Sequence, residues 1–310
     1  MRKVLILIIV LVALCAGPAF ARESKVPAVV VSIKPLHALV AGVMRGVGEP
    51  QLLMQGGGSP HGYALRPSQA RALAQADLLV WVGEGLEGFL IKPLATLAQG
   101  TRQLELADVL HDALLPQRAG GNWEEDAPEH VAGEHDHGAY NPHIWLSPRL
   151  AQRIVTQVAA TLSEIDPAHR EQYQANAARL NERLVRLDAA LARRLAPVRA
   201  IPYIVFHDAY AYFEAAYGLN AVGSISIDPE RRPGARRIGE IRERIRTLQA
   251  RCVFSEPQFE PRLIATLIEG TGARSDQLDP LGVDLTAGEE AYFKLLEQLT
   301  TDLLRGLGSQ

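Results

Sequence analysis

The sequence predicts an α/β protein of two lobes, each with a mostly parallel sheet, joined by a long helix. Apolar, often β-branched runs alternate with helical patterns on both sides of residues 166–197, and this alternation is typical of parallel sheets covered by helices. Within residues 166–197 a single apolar stripe continues for about 45 Å at the helical rise per residue, longer than one small domain is wide. We therefore expect an N-terminal lobe at residues 22–165, a connecting helix at 166–197 and a C-terminal lobe at 198–310.

The N-terminal lobe begins with a continuous apolar run at residues 28–33, as expected for a strand buried on both faces. A helical pattern follows to about residue 47, then a second strand at 51–55 and a loop with three glycines at 56–58. Pro67 opens a helix at 69–74, and further strands are expected at 76–82 and 103–106. His61 therefore lies in a loop between a strand and a helix.

Residues 83–88, which read GEGLEG, match the GxGxxG pattern of dinucleotide-binding turns. The motif follows a predicted strand, as that function requires. However, Glu84 and Glu87 would place two carboxylates beside a pyrophosphate, and no net positive charge nearby offsets them. We therefore do not assign a dinucleotide cofactor.

Four of the nine histidines fall within residues 129–148, and a short His-rich tract is a compositional sign of metal binding. Residues 122–138 are polar, acidic and rich in glycine, so they predict a loop that does not bury itself. This loop carries His130, His135 and His137, and its alternative interpretation is a solvated surface insertion. His143 follows in an apolar context, just before a helix that Ser147 caps and Pro148 begins.

The C-terminal lobe repeats the alternation after the long helix. Strands are expected at 203–206, 221–227 and 252–255, with a short extended segment before residue 277, and helices at 209–217, 236–250, 262–269 and 288–307. His207 follows the first of these strands. Since ligands bind at the carboxyl ends of strands in parallel sheets, His61, His143 and His207 are expected to converge in the cleft between the lobes.

The N-terminal segment, the net charge and the cysteines limit which classes of protein the sequence can belong to. Residues 1–21 have a basic start, an apolar run and a small-x-small cleavage site, which predicts an export signal removed from the mature protein. Lipid attachment at Cys15 is the alternative, although Leu14 fits it poorly.

Without Arg2 and Lys3 the formal net charge falls from −3 to −5, which argues against nucleic acid. Cys252 then has no disulfide partner in the chain and is expected to be a buried thiol.

Five motifs occur in the order of one known family: SPHGYALRPS at 59–68, NPHIWLSP at 141–148, FHDAYAYF at 206–213, FSEPQF at 254–259 and LDPLG at 278–282. They resemble the zinc-binding periplasmic component of bacterial ABC importers over essentially the whole mature chain. The resemblance implies two four-stranded lobes joined by a rigid helix. It also implies His61, His143 and His207 as metal ligands, with Asp279 or water in the fourth position. We expect His130, His135 and His137 to form a second, weaker metal site.

The expected function is therefore non-enzymatic: a periplasmic monomer captures Zn²⁺ and delivers it to an inner-membrane ABC permease and its ATPase, without inserting into the membrane. Manganese or another transition metal is an alternative cargo, but manganese-type relatives carry a carboxylate where His207 stands, and nitrogen-rich ligation favours zinc. A zinc hydrolase with Glu256 or Asp279 as base is the other alternative. The sequence has neither HExxH nor GxSxG, and a hydrolase would leave the His-rich loop unexplained.

Overall fold

The computed structural model of the chain describes residues 25–118, 140–226, 233–259 and 262–308. These residues contain two four-stranded sheets, in which every pair of neighbouring strands is parallel, so the predicted fold class is confirmed. The strands are β1 Val29–Val31, β2 Gln51–Leu52, β3 Leu78–Trp81, β4 Arg102–Glu105, β5 Tyr203–Val205, β6 Ala221–Ser224, β7 Cys252–Ser255 and β8 Arg274–Gln277. The α-helices are α1 Lys34–Met44, α2 Pro67–Ala74, α3 Ile91–Thr96, α4 Leu106–Val109, α5 Pro148–Ile165, α6 Arg170–Leu195, α7 Ala211–Tyr217, α8 Ala235–Thr247, α9 Arg262–Ile268 and α10 Ala291–Leu307.

The two sheets have the same topology. Their strand orders are β2-β1-β3-β4 and β6-β5-β7-β8, so the second lobe repeats the arrangement of the first. Both faces of each sheet are covered, as the continuous apolar strands predict. In β1, Val29 and Val31 belong to the central core, whereas Val30 packs with Leu79 and Trp81 in a second cluster on the other face.

The long helix α6 connects the lobes by packing against both. Its 26 residues span about 39 Å, and it contacts α1 and α5 of the first lobe and α10 of the second. One apolar cluster includes Val31 of β1, Leu184 of α6 and Val205 of β5. Because a single core crosses from lobe to lobe, moving the lobes far apart would expose apolar surface.

The long helix starts later than the sequence predicted. Asp166 ends α5 and a 3₁₀ turn covers Pro167–His169, so α6 begins at Arg170. The carboxylate of Asp166 does not cap the helix backbone. It accepts hydrogen bonds from the Tyr173 hydroxyl at 2.8 Å and from His169 Nδ1 at 2.6 Å, and these side-chain contacts form the corner between the two helices.

The predicted signal at 1–21 and the His-rich loop at 122–138 lie outside the described residues. Among the residues that the structure describes, no helix is both long and apolar enough to cross a bilayer. Cys252 is a free thiol with 0% exposure, as predicted, and burial raises its pKa to about 12.

The predicted start of α5 is confirmed and allows a direct test. Ser147 is the N-cap residue, and its hydroxyl accepts a hydrogen bond from the Leu150 amide at 3.3 Å, with Pro148 in the first helical turn. Replacing Ser147 with Ala is expected to lower the free energy of unfolding by about 1 kcal/mol, because that amide loses its partner. Ser147→Gly is the control and should lose only a few tenths of a kcal/mol. Urea unfolding measures both, and equal stability of the two variants would contradict a capping role.

Candidate metal centre

The three predicted histidine ligands lie on short, well-defined turns at the ends of regular elements. His61 lies in a 3₁₀ turn, Pro60–Gly62, where the Ser59 hydroxyl accepts a hydrogen bond from the His61 amide at 3.3 Å. His143 immediately precedes the 3₁₀ turn Ile144–Leu146, and His207 follows β5. His143 and His207 are only 4% and 6% exposed, so their rings are held by the surrounding protein.

The structure brings the three side chains to one point between the lobes. Nε2 of His143 lies 3.4 Å from Nε2 of His61 and 3.2 Å from Nε2 of His207. Nitrogens that share a tetrahedral zinc at about 2.05 Å would be separated by about 3.3 Å. Among the described residues, these three form the group of potential ligand atoms that could hold one metal ion.

The His143 ring is oriented by Asn141. Asn141 Oδ1 lies 2.9 Å from His143 Nδ1 and also accepts from the His143 amide at 3.1 Å. The Asn141 amide nitrogen donates to the Asp208 carbonyl at 2.7 Å, which assigns Oδ1 as the acceptor. Nδ1 of His143 therefore carries the proton, and the Nε2 lone pair points to the cluster.

The His207 ring is oriented by a carboxylate. Glu256, at the end of β7, accepts a hydrogen bond from His207 Nδ1 at 2.8 Å and is only 1% exposed. This partnership again leaves Nε2 as the nitrogen that faces the other histidines. The sequence indicates Glu256 only as a candidate hydrolase base, because its contact with His207 joins residues 49 positions apart.

Asp279, the predicted fourth ligand, is not part of the three-nitrogen group. Its carboxylate accepts hydrogen bonds from the amides of Leu281 and Gly282 at 3.0 Å and of Val283 at 2.5 Å. Gln258 Nε2 donates to it at 3.2 Å. Asp279 therefore organises the turn at residues 279–283, and its role as a ligand stays a prediction.

The 279–283 turn also ties the two lobes together beside the site. Lys34 Nζ, from α1 of the first lobe, donates to the carbonyls of Gly282 and Val283 at 2.6 Å each. Trp145 donates from Nε1 to the Pro280 carbonyl at 2.8 Å, and its ring lies 5.2 Å from that of His143. These contacts close the cleft around a small cavity that the three histidines, Trp145 and Glu256 line.

The predicted weaker site at His130, His135 and His137 lies outside the described residues. The chain on either side of it is placed next to the site. Pro116 and Tyr140 form an antiparallel bridge, and Arg118 binds Asp208, the residue after His207. Both flanks therefore meet beside the metal centre.

The GxGxxG segment holds its own carboxylate where a phosphate would bind. Glu87 is fully buried and accepts hydrogen bonds from the amides of Val82 at 3.1 Å and Gly83 at 3.0 Å, and from the Ser32 hydroxyl at 2.6 Å. Burial raises the pKa of Glu87 to about 7. Gly83 has φ +143°, and a Cβ there would lie 2.6 Å from a Glu105 oxygen. Gly83 is therefore needed for this packing.

The electrostatics of the cluster keep two of its histidines neutral. Burial, followed by the neighbouring His207, lowers the pKa of His61 to about 3. Burial and the two neighbouring histidines lower the pKa of His143 well below its ordinary value of 6.5. Both rings therefore offer a free lone pair to a cation at neutral and mildly acidic pH.

These shifts predict how zinc binding depends on pH. Three imidazoles with the ordinary pKa of about 6.5 would together weaken binding about 50-fold between pH 7.5 and pH 6. We expect less than a tenfold change here, because a lowered pKa moves proton competition at His61 and His143 to lower pH. Chelator competition, corrected for the chelator's own protonation, measures this, and a 50-fold loss would show three solvated ligands.

The same lowered pKa values predict that the metal-free protein becomes less stable at acidic pH. The unfolded state takes up protons at these histidines below about pH 6.5, whereas the folded metal-free state does not. The free energy of unfolding of the metal-free protein should therefore decrease progressively as the pH falls from 6.5 towards 3. Urea unfolding at pH 7 and pH 5 measures the loss.

Comparison with known proteins finds one family over nearly the whole chain. A family model described as "Zinc-uptake complex component A periplasmic" matches residues 29–306. The chain is 42% identical over 300 residues to the high-affinity zinc uptake system protein ZnuA of Brucella abortus (strain 2308), covering 89% of this chain and 90% of that protein. It is 37% identical over 283 residues to the protein of the same name from Yersinia pestis, covering 88% and 89%. A solved structure described as "Crystal structure of ZnuA" superposes with a TM-score of 0.76 at 26% identity, covering 92% of this chain and all of that chain.

Proposed function

The chain belongs to the family of periplasmic zinc-uptake complex A components, and from this we propose that it captures Zn²⁺ and delivers it to an ABC permease. The observation that carries the proposal is the cluster of three Nε2 atoms, with separations of 3.4 and 3.2 Å from the central His143. Imidazole nitrogens suit zinc, whereas manganese prefers oxygen ligands. His61, His143 and His207 are the proposed ligands.

We assign the fourth coordination position to water. Asp279 lies outside the group of three nitrogens, and its carboxylate accepts the amide hydrogen bonds that hold the 279–283 turn. An open fourth position suits a protein that must release its cargo, since a water molecule is exchanged without breaking the protein fold.

Binding and transport fit these side chains better than hydrolysis does. Glu256 accepts the hydrogen bond that orients His207, and Asp279 accepts those that hold its own turn, so both candidate bases have a structural role at the site. We therefore propose no catalytic residue. An export signal at residues 1–21, a periplasmic location, a monomeric state and the permease with its ATPase as partners complete the proposal.

Metal content tests this function directly. Protein purified from periplasm without added metal is expected to contain one zinc per chain, and the stripped protein should bind one Zn²⁺ tightly and Mn²⁺ much more weakly. Calorimetric titration measures stoichiometry and affinity. Protein that carries manganese, or that binds no metal after stripping, would refute the proposal.

The His-rich loop is proposed as a second, weaker zinc site through His130, His135 and His137. Ordering a polar loop around a metal costs conformational entropy that a preformed site does not incur. Deleting residues 122–138 should therefore remove the weak binding event and leave the tight one. The bridge between Pro116 and Tyr140 makes the deletion feasible, because the two ends already meet. Loss of the tight event would assign a primary ligand to the loop.

A further inference from the structure

Glu256 stands out as a buried carboxylate without a cationic side chain. It is 1% exposed, and its ion-pair partner among the described residues is His207, with no lysine or arginine within 4.0 Å. His207 donates a hydrogen bond to it at 2.8 Å, and an imidazole that holds a metal through its other nitrogen has no charge of its own to offset the carboxylate. Burying an uncompensated carboxylate is costly, so this position needs an explanation beyond folding.

A second observation concerns the other carboxylate oxygen. Oε2 of Glu256 is inaccessible to solvent, and the Tyr210 hydroxyl beside the carboxylate is uncharged, since burial and then the Glu256 charge raise the pKa of Tyr210. A neutral hydroxyl does not offset the charge of a buried carboxylate, so that charge calls for a specific reason. Glu256 also lines the same small cavity as the three histidines. The negative charge therefore lies against the space that a cation would fill.

The charge balance of the bound state supplies that reason. Three neutral imidazoles leave the full +2 charge of a zinc ion in a buried site. We infer that Glu256 is the countercharge of the metal centre and the positioning residue for His207, coupled to the ion through the bond from Nδ1. This inference rests on the proposed zinc function. Carboxylates in this position make the ligating imidazole a stronger donor, and their removal typically weakens metal binding 10- to 100-fold.

The histidines are not equivalent in this respect. His143 donates from Nδ1 to a neutral amide, Asn141, at 2.9 Å, whereas His207 donates to an anion at 2.8 Å. The anionic support therefore comes from the C-terminal lobe. Its effect on affinity should be separable from that of ring orientation, because an amide can replace the carboxylate as a hydrogen-bond acceptor.

Glu256→Gln is the discriminating variant. It keeps the shape and an acceptor for His207 Nδ1 but removes the charge, and we expect zinc binding to weaken at least tenfold. The melting temperature of the metal-free protein should stay the same or rise, because an uncompensated buried charge has been removed. Glu256→Ala, which also removes the acceptor, should lose at least as much affinity as Glu256→Gln.

Glu87→Gln is the matched control. Glu87 is also a fully buried, hydrogen-bonded glutamate, but it is held by Ser32 and backbone amides. Its replacement should leave zinc affinity within about threefold of the wild type, a range well below the effect expected of a metal-coupled carboxylate.

Chelator competition and thermal melting, with and without zinc, give all the readouts. The inference would be overturned by unchanged zinc affinity in Glu256→Gln. It would also be overturned if the variant lost affinity and its metal-free form melted at a lower temperature than the metal-free wild type. If the wild type and Glu87→Gln bind no zinc, the proposed function itself fails.

Discussion

Replacing His143 with Ala is expected to weaken zinc binding by more than about 100-fold, since loss of a ligand should exceed the 10- to 100-fold loss found for a ligand's hydrogen-bonding partner. His143 is the central one of the three proposed ligands, because its Nε2 lies within 3.4 Å of both other Nε2 atoms. The alanine variant leaves only the Nε2 atoms of His61 and His207 to bind the ion. It also leaves Asn141 Oδ1 without the ring that it orients.

The stabilisation that zinc confers measures the same loss. A ligand that binds only the folded state at 1,000 times its Kd adds about 4.1 kcal/mol, and a 100-fold weaker ligand at the same concentration adds about 1.4 kcal/mol. About two thirds of the zinc-induced rise in melting temperature should therefore disappear. Calorimetric titration gives the affinity independently.

His111→Ala is the control for this experiment. His111 lies on an exposed 3₁₀ turn, His111–Ala113, where its Nδ1 lies 2.7 Å from the Asp108 carbonyl. Removing this histidine should leave zinc affinity unchanged. Wild-type affinity in His143→Ala would mean that the ion binds elsewhere.

The sequence predicted the parts of the fold that depend on local pattern. Continuous apolar runs predicted the buried strands, and Ser147 with Pro148 predicted the start of α5. The stripe from Tyr173 to Leu195 predicted α6 and its buried face, which is confirmed. Its starting point was wrong, because the Asp166 carboxylate binds Tyr173 and His169 in place of the helix backbone.

The sequence also predicted which histidines would meet: His61 and His207 follow strands of the two sheets, where ligands bind, and the resemblance of the motif around His143 to a known family added the third. It could not predict the groups that support them. Glu256 and Lys34 reach their partners over 49 and more than 240 residues, and no local pattern marks such pairs. Asp279 matched a ligand position by motif, but its hydrogen bonds to the following amides become visible only in three dimensions.

The second large effect is expected at Arg118, which links the two lobes behind the metal site. Its Nε donates to Asp208 at 2.9 Å and its Nη1 donates to Glu214 at 2.7 Å. The side chains of Asp208 and Glu214 are only 14% and 6% exposed. Replacing Arg118 with Met would leave both carboxylates without their shared cation.

We expect Arg118→Met to lower the free energy of unfolding by about 3 kcal/mol, the lower end of the range for breaking a buried ion pair from one side. Arg102→Met is the control, because Arg102 and its partner Glu164 are 47% and 60% exposed. Exposed pairs of this kind contribute between about 0 and 1 kcal/mol. Urea unfolding of the metal-free proteins compares the two.

The pH dependence of this loss identifies its cause. Burial raises the pKa of Glu214 to about 7, against the opposing effect of Arg118. Without Arg118 the pKa should rise further, so the folded variant retains a proton that the unfolded state releases above about pH 4.5. The destabilisation should therefore be larger at pH 8 than at pH 5, where Glu214 is protonated and needs no cation. A loss that does not change with pH would show that Arg118 acts through packing of its aliphatic stem and not through its charge. Zinc affinity should weaken in parallel at pH 8, because Asp208 directly follows His207 and its carbonyl holds Asn141.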